Sequence, residues 1–248
     1  MTRRIGFGVV VSVMALSVLA CQVGGFSLNG SSIRGSGDVV EEIREVSGFT
    51  GVTLAGSGEL TIELGQSESL LIEAEDNLMQ YLETEVRHGT LEIGVKEGVN
   101  LRPNRPLRFT LTVKELGTIV LAGDGRAVAP ALAADRFSVT IAGSGDVELD
   151  GLSAARLSVT VSGSGNLGIA GGEVDEQSIT ISGSGDYTAR NLASANATVF
   201  IAGSGRATVR ASHRLEATIA GSGDVNYLGS PSVKSTVMGS GDIRQIGE

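Results

Sequence analysis

A four-residue string, Gly-Ser-Gly-Asp or a close variant, occurs nine times, with first glycines Gly35, Gly56, Gly123, Gly143, Gly163, Gly183, Gly203, Gly221 and Gly239. From Gly123 the intervals are 20, 20, 20, 20, 18 and 18 residues. So regular a period is the mark of a stacked repeat, in which each unit buries its apolar side only against its neighbours. The interior of one period, Val147 to Gly165, reads VELDGLSAARLSVTVSGSG. Val147 and Leu149 alternate with Glu148, Asp150-Gly151 makes a turn, and Leu157, Val159 and Val161 alternate with Ser158, Thr160 and Ser162. This period of two belongs to half-buried strands, and no 3.6-residue helical pattern competes with it.

Equivalent strands stacked about 4.8 Å apart pair in parallel and close one continuous core. The sequence therefore predicts an all-β protein built as a parallel β-solenoid of about seven 18–20-residue coils. Its inward columns include Val139, Val159, Ile179, Val199 and Ala217. An antiparallel sandwich would not require near-identical corners. The corners are Gly143-Ser144-Gly145-Asp146, Gly163-Ser164-Gly165, Gly183-Ser184-Gly185-Asp186, Gly221-Ser222-Gly223-Asp224 and Gly239-Ser240-Gly241-Asp242, with variants at Gly123 and Gly203. Glycines on both sides of a serine allow a sharp bend through positive φ, and the serine hydroxyl is expected to satisfy corner amides or carbonyls.

Ahead of the repeat the chain divides into three parts. Residues 1–20 carry Arg3-Arg4 and an apolar run from Ile5 to Val18, and Val18-Leu19-Ala20-Cys21 resembles a bacterial lipobox. This predicts a lipoprotein signal peptide, with Cys21 lipidated as the mature N-terminus and the protein held at a membrane through it. Residues 21–45 read as a Gly/Ser-rich tether and a first strand. Residues 46–118 form a β-rich section packed on or capping the solenoid of 119–248. Its expected strands are Val52–Ala55, Leu60–Leu64, Leu70–Ala74, Leu91–Val95 and Phe109–Val113. A short helical stretch is expected near Asp76–Leu82, and a break at Pro103 and Pro106.

The stretch Val46-Ser47-Gly48-Phe49-Thr50-Gly51-Val52, the Glu75-Asp76-Asn77-Leu78 element, the Gly89-Thr90-Leu91-Glu92-Ile93 strand and the serial corners resemble the auto-transporter adhesin head, or GIN, domain family. The resemblance covers about residues 35–245. It implies a bacterial secreted protein or lipoprotein with a β-solenoid-like domain, and it brings no catalytic residues with it.

Little in the chain points to chemistry. Two histidines and one cysteine leave scant material for a transition-metal site or His-based catalysis. His88 and His213 are isolated and read as surface side chains. Gly163 to Gly168 fits Gly-x-Gly-x-x-Gly, but no helix follows it, so it is not a phosphate cradle. The corner acids resemble calcium β-rolls only superficially, because one acid per coil falls short of the six to eight oxygens Ca²⁺ takes. Arg126, Asp146, Asn166, Asp186, Arg206, Asp224 and Asp242 instead form a largely self-compensating column. We therefore expect neither catalytic residues nor a metal nor a cofactor.

Outside the core, the strands before each corner present Ser138/Thr140, Ser158/Thr160, Ser178/Thr180, Thr198/Phe200, Glu216/Thr218 and Lys234/Thr236. Thr140, Thr160, Thr180, Thr218 and Thr236 make a candidate contact face for a glycan or a surface protein. Loss of Arg3 and Arg4 with the leader leaves 17 basic against 28 acidic residues, a net charge near −11 that repels nucleic acid. The expectation is a non-enzymatic, exported, lipid-anchored envelope protein at the outer membrane or cell surface, with an adhesin-like binding face. The alternatives are a structural, self-assembling envelope protein and a polysaccharide-processing β-helix enzyme. Homo-oligomers through an uncovered last coil are part of the first alternative.

Overall fold

The computed structural model describes residues 31–248, 71% of them in strands and 2% in helix. The architecture is a parallel β-solenoid of about six turns.

Two ladders of strands run along the solenoid. In the first, Gly51–Ala55, Thr118–Gly123, the later halves of Arg126–Gly143 and Asp146–Gly163, then Gly172–Gly183, Leu192–Gly203, Arg214–Gly221 and Ser232–Gly239 pair in parallel and in register. In the second, Glu59–Leu64 leads through the starts of the two long strands to Asn166–Ile169, Asp186–Thr188, Arg206–Arg210, Asp224–Leu228 and Asp242–Gly247. Val139, Val159, Ile179, Val199 and Ala217 stand in one buried column. Each buried Val or Ile side chain contributes about 1.5–3 kcal/mol by leaving water, so the columns dominate cohesion.

The section before the repeat is continuous with both ladders. Gly51–Ala55 lies between Thr118–Gly123 and Thr90–Val95, all parallel, while Glu59–Leu64 pairs in parallel with Arg108–Val113. The Gly56 corner therefore stacks directly on Gly123, although 67 residues separate them in sequence. Antiparallel strands then finish this end. Leu82–Arg87 covers Thr90–Val95, and Ser69–Glu75 covers Arg108–Val113 and is itself covered by Val39–Arg44. The five expected strands are present, and the helical stretch is a single turn, Asp76–Met79. From Leu82 the chain is already a strand, because His88 and Gly89, both at positive φ (50° and 77°), make the tight turn that folds it onto Thr90–Val95.

The first Gly-Ser-Gly-Asp, at Gly35, departs from the stack. Ser31–Arg34 pairs with Val99–Arg102 in a separate two-stranded sheet. The segment from Ser31 to Arg44, which its Gly/Ser content reads partly as tether, is thus largely ordered strand. Glu75, fully buried, is what pins it. Its carboxylate accepts from the backbone N–H of Gly37 at 2.6 Å and of Asn104 at 2.8 Å, with Arg105 N at 3.4 Å. Asn77 accepts from Ser36 N at 3.0 Å and donates to the Arg34 carbonyl at 2.8 Å. A Cβ at Gly35 would overlap the Glu75 carboxylate, which explains the glycine.

At the opposite end Val233, Val237 and Met238 are exposed. They occupy positions that are buried one coil earlier, at Leu215 and Ile219, or half-buried, at Ala220. One polar cluster interrupts the apolar interior. Tyr187, wholly buried, donates from its hydroxyl to Gln177 Oε1 at 3.0 Å, and Gln177 Nε2 donates to Ser194 Oγ at 2.8 Å. Burial pushes the Tyr187 phenol pKa far up, so the hydroxyl keeps the proton this chain of bonds requires.

Burial alone would raise the Glu75 pKa, but the backbone N–H groups of Asn104, Gly37 and Arg105 and the Asn104 side chain outweigh it and hold the value below 4.5. The folded-state pKa lies below the unfolded one, so this carboxylate stabilises the fold above about pH 4.5. That contribution disappears as pH falls through the folded value. Glu75→Gln should melt earlier than wild type at pH 7, with the gap closing in acid. Melting curves from pH 3 to 7 that stay parallel for the two proteins would refute the clamp.

Candidate functional site

The outer surface of the first ladder and the corners beside it form the candidate site. At Gly123, Gly143, Gly183, Gly203 and Gly221 the corner glycine's carbonyl accepts from two amides of the next coil, and at Gly163 it accepts from Ser184 N. Gly143 O takes Ser164 N at 2.9 Å and Gly165 N at 3.2 Å, and Gly203 O takes Ser222 N at 2.8 Å and Gly223 N at 3.0 Å. The fork carries the backbone ladder around the bend. The two glycines owe their identity to different causes. Gly163 has φ of 128°, and a Cβ there would overlap the Gly143 carbonyl oxygen. Gly165 needs no positive φ, yet a Cβ there would overlap the Gly145 carbonyl oxygen. The expectation of positive φ at both glycines is corrected accordingly. The serine hydroxyls are corrected too. Ser144, Ser164, Ser184, Ser222 and Ser240 are exposed, and their backbone N–H groups serve the corner.

The residue after each corner has a structural task. Asp146 Oδ1 accepts from Asn166 N at 3.2 Å and Asn166 Nδ2 at 2.8 Å, Asn166 Oδ1 accepts from Asp186 N at 3.1 Å, and Asp186 Oδ1 accepts from Arg206 N at 2.9 Å. Asp224 Oδ1 likewise accepts from Asp242 N at 3.2 Å. Each side chain thus caps an amide one coil along. Asp242, the one acid stacked directly on another, bonds to the Arg244 guanidinium, which holds its pKa below the usual carboxylate value. Among the described residues no three acidic, His or Cys side chains converge as a metal cage would require.

The candidate contact residues share one register. Thr140, Thr160, Thr180, Phe200, Thr218 and Thr236 are consecutive partners across the coils. Thr140, Thr160, Thr180 and Thr218 are half-buried, Thr236 is exposed, and Phe200 interrupts the row at 40% exposure. Ser138, Ser158, Ser178 and Thr198 stand in the adjacent outward column. Beyond them lies a column absent from the sequence-based candidates: Arg136, Arg156, Glu176, Asn196 and Arg214. Their spacing of 20, 20, 20 and 18 matches the corners, so the signal was available. Between this column and the serines runs an open trough of about 660 Å³. His88 and His213 are exposed and apart from it. Cys21 lies outside the described residues.

A family model described as "Putative auto-transporter adhesin, head GIN domain" matches residues 48–231. The chain belongs to this family. The match begins just before Phe49, the first buried residue of the solenoid, and ends before the exposed last strand of the first ladder, Ser232–Gly239. A search of curated proteins gave no match. Among solved structures, the chain is similar to a putative adhesin from Bacteroides fragilis NCTC 9343. The two share 22% identity and a TM-score of 0.80 over 86% of this chain and 100% of that one. It is also similar to a putative lipid binding protein from Parabacteroides distasonis ATCC 8503, with 28% identity and a TM-score of 0.73 over 87% and 99%. A putative adhesin from Parabacteroides merdae ATCC 43184 is 20% identical, with a TM-score of 0.70 over 87% and 99%. The neighbours below 25% identity establish the GIN-domain fold and nothing finer.

Gly163→Val forces a branched residue to positive φ and against a neighbouring carbonyl, and should cost about 3 kcal/mol or more. For a chain of this size that lowers Tm by roughly 6–12 °C. Gly168 has open space where its Cβ would stand and no positive φ, so Gly168→Ala should stay within about 1 kcal/mol of wild type. Calorimetry that finds equal effects for the two would remove the corner from this account.

Proposed function

We propose that this protein is a non-enzymatic, lipid-anchored GIN-domain module that contacts macromolecules through the outward columns of its first ladder. One observation carries the reading: Ser/Thr side chains repeat in register on a rigid ladder, so a long ligand meets the same contact once per coil. Single polar contacts of this kind are weak, but several engaged at once raise avidity without a deep pocket. The family description, an adhesin head, supports an exported surface role, as do the neighbours named as adhesins. The Val18-Leu19-Ala20-Cys21 string supports attachment through Cys21, in the outer membrane or at the cell surface. The neighbour named as lipid binding is compatible with a membrane-proximal position.

A second reading, assembly with copies of itself, is favoured by the exposed Val233, Val237 and Met238 beside the outer edge of Ser232–Gly239. Sedimentation of a strict monomer at high concentration would discard it.

The soluble 22–248 fragment should bind members of a glycan and matrix-protein array, and binding should weaken when Thr160 and Thr180 are both changed to bulky Glu. Silence across the whole array would defeat the adhesive reading. In cells, Cys21→Ala should move the protein from the membrane fraction to the soluble fraction. An unchanged distribution would defeat the anchor.

A further inference from the structure

The trough beside the serine column differs in charge from the rest of the molecule. The whole chain carries a formal net charge of −9, yet the trough is lined by three arginines, Arg136, Arg156 and Arg214, against one acid, Glu176. A neighbouring trough across the same ridge, of about 440 Å³, has the opposite character: Glu173 and Asp175 line it, and no basic side chain does. Between the two, a hollow of about 240 Å³ sets Asp135, Asp175 and Glu176 against the other side of Arg136 and Arg156, so the arginine column divides a positive trough from an acidic flank.

Its guanidinium groups differ in how far they are engaged. Arg156 meets Glu176 at 3.2 Å and Arg214 meets Glu216, whereas the nearest carboxylate to Arg136 among the described residues is its sequence neighbour Asp135, at 3.9 Å. The Arg136 side chain is 74% exposed. Opposite stand the hydroxyls of Ser138, Ser158 and Ser178, one per coil, and the floor is closed by the buried Phe137 and Leu157. Hydroxyl donors and acceptors repeat at the coil spacing of about 4.8 Å. That spacing is comparable with the advance per ring of an extended sugar chain.

We propose that this trough binds an extended acidic polysaccharide, with carboxylates of the sugar chain on Arg136 and Arg156 and sugar hydroxyls on the serine column. The inference rests on the surface-binding reading above and names the ligand class for it. A guanidinium takes a carboxylate through two parallel hydrogen bonds, and this geometry selects a uronate over a neutral ring. The trough exposes no aromatic face on which a nucleobase would stack, since Phe137 is almost wholly buried. That sets the sugar chain apart from a single-stranded nucleic acid.

The test uses the full-length chain in detergent and fluorescently labelled polygalacturonate oligomers, followed by anisotropy. Wild type should bind, and Arg136→Glu combined with Arg156→Glu should weaken binding at least about tenfold, whereas Arg136→Lys, which keeps the charge but loses the paired hydrogen bonds, should weaken it by a smaller factor. Raising NaCl from about 50 to about 500 mM should weaken wild type in the same sense. Unchanged melting temperatures would show that the variants are folded. Equal binding of neutral dextran, equal binding of a single-stranded DNA of matched charge, or undiminished binding by the double variant would each overturn the inference. Binding of wild type to a neutral glycan or matrix protein, with none to polygalacturonate, would overturn it while leaving the surface-binding reading intact.

Discussion

Everything in this molecule depends on one backbone contact, the carbonyl of a corner glycine accepting two amides from the coil above it. A solenoid must turn its chain several times per coil, and each turn threatens to strand polar backbone groups. Here the fork converts the bend into a continuation of the parallel ladder. That requires the two corners to approach closely enough that a Cβ on either glycine of the upper one would strike the lower. Close approach excludes every other residue type, so the glycines are consequences of the hydrogen bond. Length changes are then confined to other sides of the coil. Asn196 lies ten positions after Asp186, whereas Arg214 lies only eight after the equivalent Arg206. The deletion falls on the connection between the ladders and leaves both in register.

Once corners fix the register, inward positions are committed to Val, Ile, Leu and Ala, and outward positions become columns. A substitution at one coil is then read together with its neighbours above and below. This is why the outward surface takes the form of rows: a row of hydroxyls and threonines, and beside it a row in which Glu176 and Asn196 stand between Arg136 and Arg156 on one side and Arg214 on the other. The same logic gives the corner acids a structural task. One carboxylate oxygen of Asp146, of Asp186 and of Asp224 accepts from an amide of the next coil, a task that Asn166 shares because only the acceptor matters.

What the sequence makes legible follows from this arrangement. The corners and inward columns are visible as a period, because every coil repeats the same local constraint. The reason for the second glycine is invisible, since it lies in a contact between residues 20 apart whose distance only the stacked backbone reveals. The continuity of Gly51–Ala55 with Thr118–Gly123 is hidden for another reason. An insertion of strands and a helical turn between Gly56 and Gly123 breaks the period without breaking the stack. The outward threonine column at Thr140, Thr160, Thr180, Thr218 and Thr236, the candidate contact face, is legible as alternation. The arginine column shares the period, but it becomes a candidate only when the trough beside it is seen.

The Gly35 string shows the limit of reading a motif from its letters. In a stacked corner the serine and second-glycine amides both go to the carbonyl of the preceding coil. At Gly35 no preceding corner lies in register, and the same two amides must find other acceptors. Ser36 N goes to Asn77 Oδ1 and Gly37 N to Glu75 Oε1. Glu75 and Asn77 thus take the place of the missing coil, with two side-chain oxygens where a repeat would supply one carbonyl. A carboxylate is well suited to that place, because it accepts several N–H bonds at once and its charge strengthens each. Its burial, costly in isolation, is offset by the three backbone donors that surround it. The same four residues therefore stack or clamp according to which acceptors the fold presents to their amides.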